Sequence, residues 1–428
     1  MKRFLVLSAI VYFLLLAGLI SLRSEYMAFA IPFVLYLFFG FYTAPETPKL
    51  QIERVFSSER VIPNSDIVVT LNIKNLGGQI EELYLEDKIS SNLEIRFGSP
   101  RSLMHLPAGA SHSLTYTIAG PRGAYSFESI KVEACDALSL IRREQTLLTT
   151  GQLVVFPEVR RLKSISIRPR RTRVYAGMIP ARAGGSGTEF FGVREYQPGD
   201  TPRSINWHAS ARHAEALFAN EYQQERVADV GIVVDARERA NVFHGEQSIF
   251  EYSVQAAATL SDAFISQGNR VGLLVYGAYL GWTLPGYGKL QRERVLYALA
   301  RAEVGVSSVF EGLEHLSSRM FPPESQIVLV SSLVNDDLSV MVQLRARGYQ
   351  VLVVSPDPVE FERRLLPANE NVKVATRMIR LERDLLIRKL ERAGVQVIEW
   401  DVSRPFDQTV GPTLMRSHPH GSVLRRIS

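Results

Sequence analysis

Two uncharged apolar runs near the N-terminus constrain this chain more than any other feature. Phe4–Leu22 and Tyr26–Pro45 contain no Asp, Glu, Lys or Arg. At 1.5 Å rise per residue, each is long enough as a helix to cross a ~30 Å hydrocarbon core. A cleaved signal peptide is the competing reading, because Lys2 and Arg3 precede the first run and Ala28-Phe29-Ala30 resembles a cleavage site. The first run exceeds an ordinary signal core and a second follows at once, which favours an uncleaved hairpin over residues 1–45. Pro32 is tolerable inside a membrane helix.

Charge orients the hairpin. Lys2 and Arg3 lie before it, Lys49 and Arg54 after it, and the link carries the opposed pair Arg23 and Glu25. Positive charge on the terminal side places both termini in the cytoplasm. The expectation is a multi-pass protein of the plasma (inner) membrane with its soluble part in the cytoplasm.

The 428 residues leave room for two soluble domains at roughly 100–200 residues each. A formal net charge of +5 is too small to single out nucleic acid as a partner. Cys135 is the only cysteine, so no intrachain disulfide framework or cysteine-rich metal site can form.

Residues 50–155 read as a β-sandwich of the immunoglobulin-like kind. Val68–Asn75, Ser113–Ile118 and Ser129–Ala134 alternate apolar and polar residues, and Gly77-Gly78 and Gly120-Pro121 supply turns. No catalytic cluster is evident there, which suits a spacer or contact module.

Residues 156–224 read as a basic connector followed by a dense motif. Between Arg160 and Arg182 the charges are Arg160, Arg161, Lys163, Arg168, Arg170, Arg171, Arg173 and Arg182, with no acid. Residues 160–182 suit anionic lipid at ~1 kcal/mol per charge. The plainer reading, charges that partner the next domain, is favoured. Gly184 to Arg212 is rich in glycine, proline, aromatics and opposite charges. It reads as mostly turns, holding a polar network or a recognition surface built on Arg–carboxylate forks. It lacks the Gly-Lys-Ser/Thr ending of a phosphate loop. A hydrolase-like triad can be drawn from Ser210, His208 and Asp200, but nothing in the spacing demands it.

Residues 225–403 read as a doubly wound α/β domain. Val230–Asp235, Val271–Tyr276, Ile327–Val330, Gln350–Val354 and Val395–Trp400 are apolar strand runs, separated by helical stretches such as Ile249–Gln267 and Ala375–Arg392. Ligands bind at the carboxyl ends of strands in such sheets, which singles out Asp235. Residues 404–428 read as a tail.

The pattern Arg194-Glu195-Tyr196-x-x-Gly199-Asp200-x-x-Arg203-x-Ile205-x-Trp207-x-x-Ser210-Ala211-Arg212, preceded by Glu189, closely resembles the signature of the DUF58 family. The resemblance implies a hairpin, a sandwich-like segment, the motif and a von Willebrand factor A-like domain. It implies Glu189, Arg194, Glu195, Tyr196, Gly199, Asp200, Arg203, Trp207 and Arg212 as motif residues for a partner. It further implies a non-enzymatic adaptor associated with a MoxR-type AAA+ ATPase. A hydrolase using Asp200 and His208, or a cell-envelope scaffold, are the alternatives.

In von Willebrand A-like domains the Asp235 position opens Asp-x-Ser-x-Ser, which holds Mg²⁺. Here both serines are arginines, Arg237 and Arg239. Ser307 or Ser308 stands for the ligand of a later loop, and Ser332 replaces an expected acid. A guanidinium cannot ligate a metal. The reading is a degenerate site without metal or other cofactor, with Arg237 or Arg239 paired to Asp235. Glu238, Asp336 and Asp337 are the alternative oxygen donors.

Overall fold

The computed structural model describes the chain except residues 1, 43–46, 59, 136–140, 163–172, 213–215, 246, 278–279, 307–320, 323, 368 and 416–428, and gives the backbone alone for 2–3, 173–189, 191, 222–226, 280, 413 and 415. The chain divides into two compact units, Met1–Phe156 and Pro157–Ser428.

The first unit opens with α1 (Lys2–Ser21) and α2 (Ser24–Tyr42). Leu22 turns the chain between them at φ 54°. The helices approach closely at Gly18, where an added Cβ would lie 2.9 Å from Met27 Cγ. Their remaining surfaces expose Leu5, Phe13, Leu19, Phe29, Leu35 and Phe38. Both are long and apolar enough to span a bilayer.

Eight strands follow: β1 (Leu50–Phe56), β2 (Ile67–Asn75), β3 (Ile80–Asp87), β4 (Glu94–Phe97), β5 (Arg101–Leu106), β6 (Ser111–Ala119), β7 (Gly123–Cys135) and β8 (Arg142–Val155). They form two antiparallel four-stranded sheets, β1-β2-β6-β4 and β5-β3-β7-β8. Alternation puts Ile67, Val69, Leu71 and Ile73 of β2 into the same core as Leu83, Leu85, Ile130 and Val132 of the other sheet. A buried ion pair clips the sheets together. Arg54 Nη2 lies 2.7 Å from Asp87 Oδ1, and Tyr116 Oη donates to Asp87 Oδ2 at 2.6 Å. Burial, and then Asp87's charge, push the Tyr116 phenol well above its usual range.

The second unit corrects one expectation at its start. Of the segment read as mostly turns, residues 184–195 are strand, part of β9 (Arg173–Glu195), which pairs antiparallel with β10 (Phe218–Val227), while 196–212 carry turns and short helical segments. Register shifts at Glu221/Tyr222, Gln223/Gln224 and Glu225/Arg226 absorb extra residues of the β9 side. Glycine here marks irregularities within a paired ribbon rather than its end.

The hairpin's return strand runs straight into a six-stranded sheet. Its strands and helices are, in order, β11 (Asp229–Asp235), the two-residue ladder β12 (Phe243–His244) and β13 (Gln247–Ser248), α4 (Ile249–Ser266), β14 (Arg270–Tyr276), β15 (Leu280–Gly286), α5 (Gly288–Ala300), β16 (Gln326–Val330), α6 (Asp337–Ala346), β17 (Gln350–Pro356), α7 (Pro358–Leu365), α8 (Glu370–Arg392) and β18 (Gln396–Trp400). A four-residue helix, α3 (Trp207–Ser210), sits between β9 and β10. The sheet order is β15-β14-β11-β16-β17-β18, parallel except for the edge strand β15.

Every residue of β11 is buried. Val230, Ile232 and Val234 join the core that contains α4, while Val233 joins the one that contains Val340, Leu344, Leu386 and Leu390 of α6 and α8. Cover on both faces explains why β11 reads as an unbroken apolar run. Residues 404–415, read as part of a tail, carry α9 (Phe406–Thr409) and α10 (Gly411–Met415). Phe406, Val410 and Leu414 pack into the α4 core, with the Phe406 ring 4.9 Å from Trp400. Phe406, Val410 and Leu414 lie at i, i+4 and i+8, which puts them on one face of this short stretch.

Candidate functional site

The carboxyl end of β11 is a closed polar cluster. Asp235, Arg237, Ser331, Ser332 and Asp337 are all buried. Arg237 Nε donates to Asp235 Oδ1 at 2.8 Å and Nη2 to Asp235 Oδ2 at 2.6 Å. The same guanidinium donates to Asp337, Nη1 to Oδ1 and Nη2 to Oδ2, each at 2.9 Å. One planar cation thus forks two carboxylates, which a lysine's point charge does not reproduce.

The backbone fixes this arrangement. Arg237 N donates to Asp235 Oδ1, and Asn241 Nδ2 donates to the carbonyls of Asp235 and Arg237. Ser331 Oγ donates to Asp235 Oδ2 at 2.6 Å, and Val334 N to Asp337 Oδ2 at 2.9 Å. Bonds continue along the strand ends. Ser355 Oγ donates to Ser331 O, while Arg383 donates to Ser332 O, to Ser355 Oγ and to Glu399.

Two carboxylates share one guanidinium, so the cluster is electron-rich. Burial pushes the Asp337 carboxyl up, against the pull of Arg237, and Asp235's charge adds to the push. Burial would lower the Arg237 guanidinium, but the bonds and charges of Asp235 and Asp337 outweigh it and hold Arg237 firmly protonated.

Of the sequence candidates, Arg237 is the residue that engages Asp235. Arg239 lies outside the cluster, exposed, with Nη1 3.4 Å from Asp336 Oδ2. The serine that binds Asp235 is Ser331; the Ser332 Oγ is buried and has no hydrogen-bond partner. Asp337, an alternative oxygen donor in the sequence, gives its oxygens to Arg237. The cluster does not fit the Mg²⁺ site of the resemblance, because a guanidinium lies where a cation would meet these oxygens. Ser307 and Ser308 lie outside the described residues. Among the described residues no group of three His, Cys, Asp or Glu side chains is placed to hold a metal.

The motif forms a second site at the hairpin's tip. Arg194 grips Asp200 through both carboxylate oxygens, at 2.8 and 2.6 Å. Tyr196 Oη donates to Asp200 O, and Gln197 N donates to Asp200 Oδ2. Gly199 closes this turn at φ 113°, a conformation that favours glycine. The Arg194 hydrogen bond, then that from Gln197 N, hold the Asp200 carboxyl below its usual range.

Further along, Asn206 caps α3 by accepting from Ala209 N at 2.9 Å, and its amide donates to Asn220 Oδ1 at 2.7 Å. Ser210 Oγ accepts from Phe218 N at 2.9 Å. His208 Nε2 lies 3.1 Å from Arg212 Nη2. Ser210, His208 and Asp200 are therefore each engaged with other groups. Arg203, Trp207 and Arg212 are exposed, Trp207 to 68%, and so are Phe190, Val193 and Leu217. Glu195 ends β9, and the Glu189 side chain lies outside the described residues, as do most side chains of 160–182.

These features define a class: a chain with two apolar N-terminal helices, a mostly β region, and a mixed sheet with helices whose strand-end site is filled by its own arginine. The family model described as "Protein of unknown function DUF58" matches residues 192–397, from the end of β9 into β18, and supports assignment to that family. The chain is also similar to the uncharacterized protein YeaD of Bacillus subtilis (strain 168), 24% identical over 253 residues, which make up 58% of this chain and 60% of YeaD. It thus spans about three fifths of that relative's length. Among solved structures, the CARDB domain of a Pyrococcus furiosus protein matches 26% of this chain and 91% of its own, with 18% identity and a TM-score of 0.20. A FixG-related protein from Vibrio parahaemolyticus matches 26% and 98%, with 12% identity and a TM-score of 0.19. Scores this low carry no argument about the fold.

Proposed function

We propose that this protein is a membrane-anchored, non-enzymatic adaptor, whose second unit is a von Willebrand A-like domain working with a MoxR-type AAA+ ATPase. The observation that carries the reading is the Arg237 fork. Parallel strands present their carboxyl ends as a binding edge, and at this edge the cation is a side chain of the protein itself. The sheet order, with β11 central and one antiparallel edge strand, suits a von Willebrand A-like domain. An outward Trp207 flanked by Arg203 and Arg212 suits a protein partner, since aromatic and arginine residues dominate the energetics of interfaces. The engagement of Asp200 by Arg194 favours positioning over acid–base chemistry.

Affinity purification of the intact protein from native membranes, with and without ATP, tests this. Nucleotide-dependent enrichment of an AAA+ ATPase, lost in Trp207→Ala, is expected. Enrichment of cell-wall proteins alone, or of nothing, overturns the adaptor reading.

A further inference from the structure

Helix α8 carries two apolar faces, and the described residues of the domain cover one of them. Leu386 and Leu390 pack into the core beside the sheet, Ile387 is buried, and Arg383 is tied to Ser332, Ser355 and Glu399. The opposite face holds Val374, Met378, Leu381 and Leu385, which are 57%, 60%, 64% and 57% exposed. Their spacing of four, three and four residues is that of a coiled-coil seam, with Met378 and Leu385 at a and Val374 and Leu381 at d. Chance exposure of single leucines is ordinary, but a continuous stripe on one helix face marks a contact surface.

The residues flanking the stripe say what covers it. Arg377 and Asp384 occupy the g positions, and Glu382 and Lys389 the e positions. Among the described residues none of these four takes part in an ion pair within the chain. In a parallel pair of α8 helices, each g residue faces the e residue five places later on the other helix. Arg377 then meets Glu382 and Asp384 meets Lys389, giving four attractive pairs by symmetry and no repulsive g–e pair, while Arg388, the next d residue, ends the apolar seam. An antiparallel pair brings together only Arg377 and Asp384, twice. Flanking charges of this kind set partner and orientation.

We propose that a second copy of this chain covers the stripe, the two α8 helices running parallel. Two heptads are too short to hold free peptides together, because an isolated helix must first nucleate. Here α8 is already held on the domain by its other face, so that cost is absent. This interface does not depend on the ATPase reading or on the Trp207 surface.

Disulfide trapping of the full chain in its native membranes tests it. Cys135 is the only cysteine and is buried, and Cys135→Ser gives a thiol-free background. Leu381→Cys is expected to form a disulfide-linked dimer on oxidation with copper phenanthroline, whereas Val342→Cys on exposed α6 is not. Adding Arg377→Glu should cut the dimer yield several-fold, and adding Glu382→Arg as well should restore it. Failure of Leu381→Cys to cross-link, or equal cross-linking at Val342→Cys, overturns the proposal. A yield indifferent to Arg377→Glu, or not restored by Glu382→Arg, overturns the parallel pairing.

Discussion

At the residue scale, Arg237 is the internal cation of the β11 strand end. Removing one partner of a buried ion pair leaves the rest uncompensated, which costs about 3–5 kcal/mol. Arg237→Ala is expected to destabilise the full chain by that order, read as a lowered thermal unfolding midpoint in detergent. It leaves Asp235 and Asp337 facing each other, so added Mg²⁺ or Mn²⁺ should recover part of the loss, while the parent protein should not respond. Asp337 behaves differently because Asp235 remains to compensate Arg237. Its carboxyl is raised by burial, so the folded state holds this proton more tightly than the unfolded chain. Its favourable contribution is present below the unfolded value of about 3.9 and is lost as pH rises through the folded value. Asp337→Asn should flatten that decline, which unfolding midpoints measured from pH 4 to 7 would reveal. The sequence named Asp235 and Arg237 but could not choose between Arg237 and Arg239. Arg237 folds back two residues onto its own strand end, and that return depends on the turn fixed by Asn241.

At the element scale, β11 leaves no space to spare. A Cβ at Gly231 would lie 2.6 Å from the Phe321 ring, and one at Gly277 would lie 2.5 Å from Ala236 O. Gly231→Ala is expected to cost about 1–3 kcal/mol by overpacking, measured by denaturant unfolding. A ring can yield where backbone cannot, so Gly277→Ala should be the worse of the two. Neither glycine was legible as a packing site, because the contacts come from residues about 90 and 40 positions away. The strands of the central sheet were legible, since cover on both faces demands continuous apolar runs. The β9–β10 ribbon was not. Its pairing is fixed by β10, and local glycine content argued the other way.

At the scale of the whole molecule, the two N-terminal helices are long and apolar enough to cross a membrane. Their exposed apolar side chains have no protein cover, so alkaline carbonate should leave the chain in the membrane pellet and deletion of 1–42 should release it. The proposed orientation has a separate measurement. Cys135 is buried and reports poorly, whereas Leu148 is 86% exposed on β8. Leu148→Cys in a Cys135→Ser background should react with a membrane-impermeant maleimide only after the cells are opened. Labelling of intact cells would place the soluble units outside.

The sequence by itself determined what periodicity and composition can encode: two apolar spans, alternating strands, buried parallel strands and a dense polar motif. These follow from interactions a few residues apart or from the solvent each residue must face. Tertiary structure alone decided which groups meet. It brought Asp337 to Arg237 across 100 positions and Asp87 to Arg54 across 33. It also turned the Leu381 stripe of α8 away from the sheet. A side chain's partner depends on the path of the whole chain, which no local pattern records.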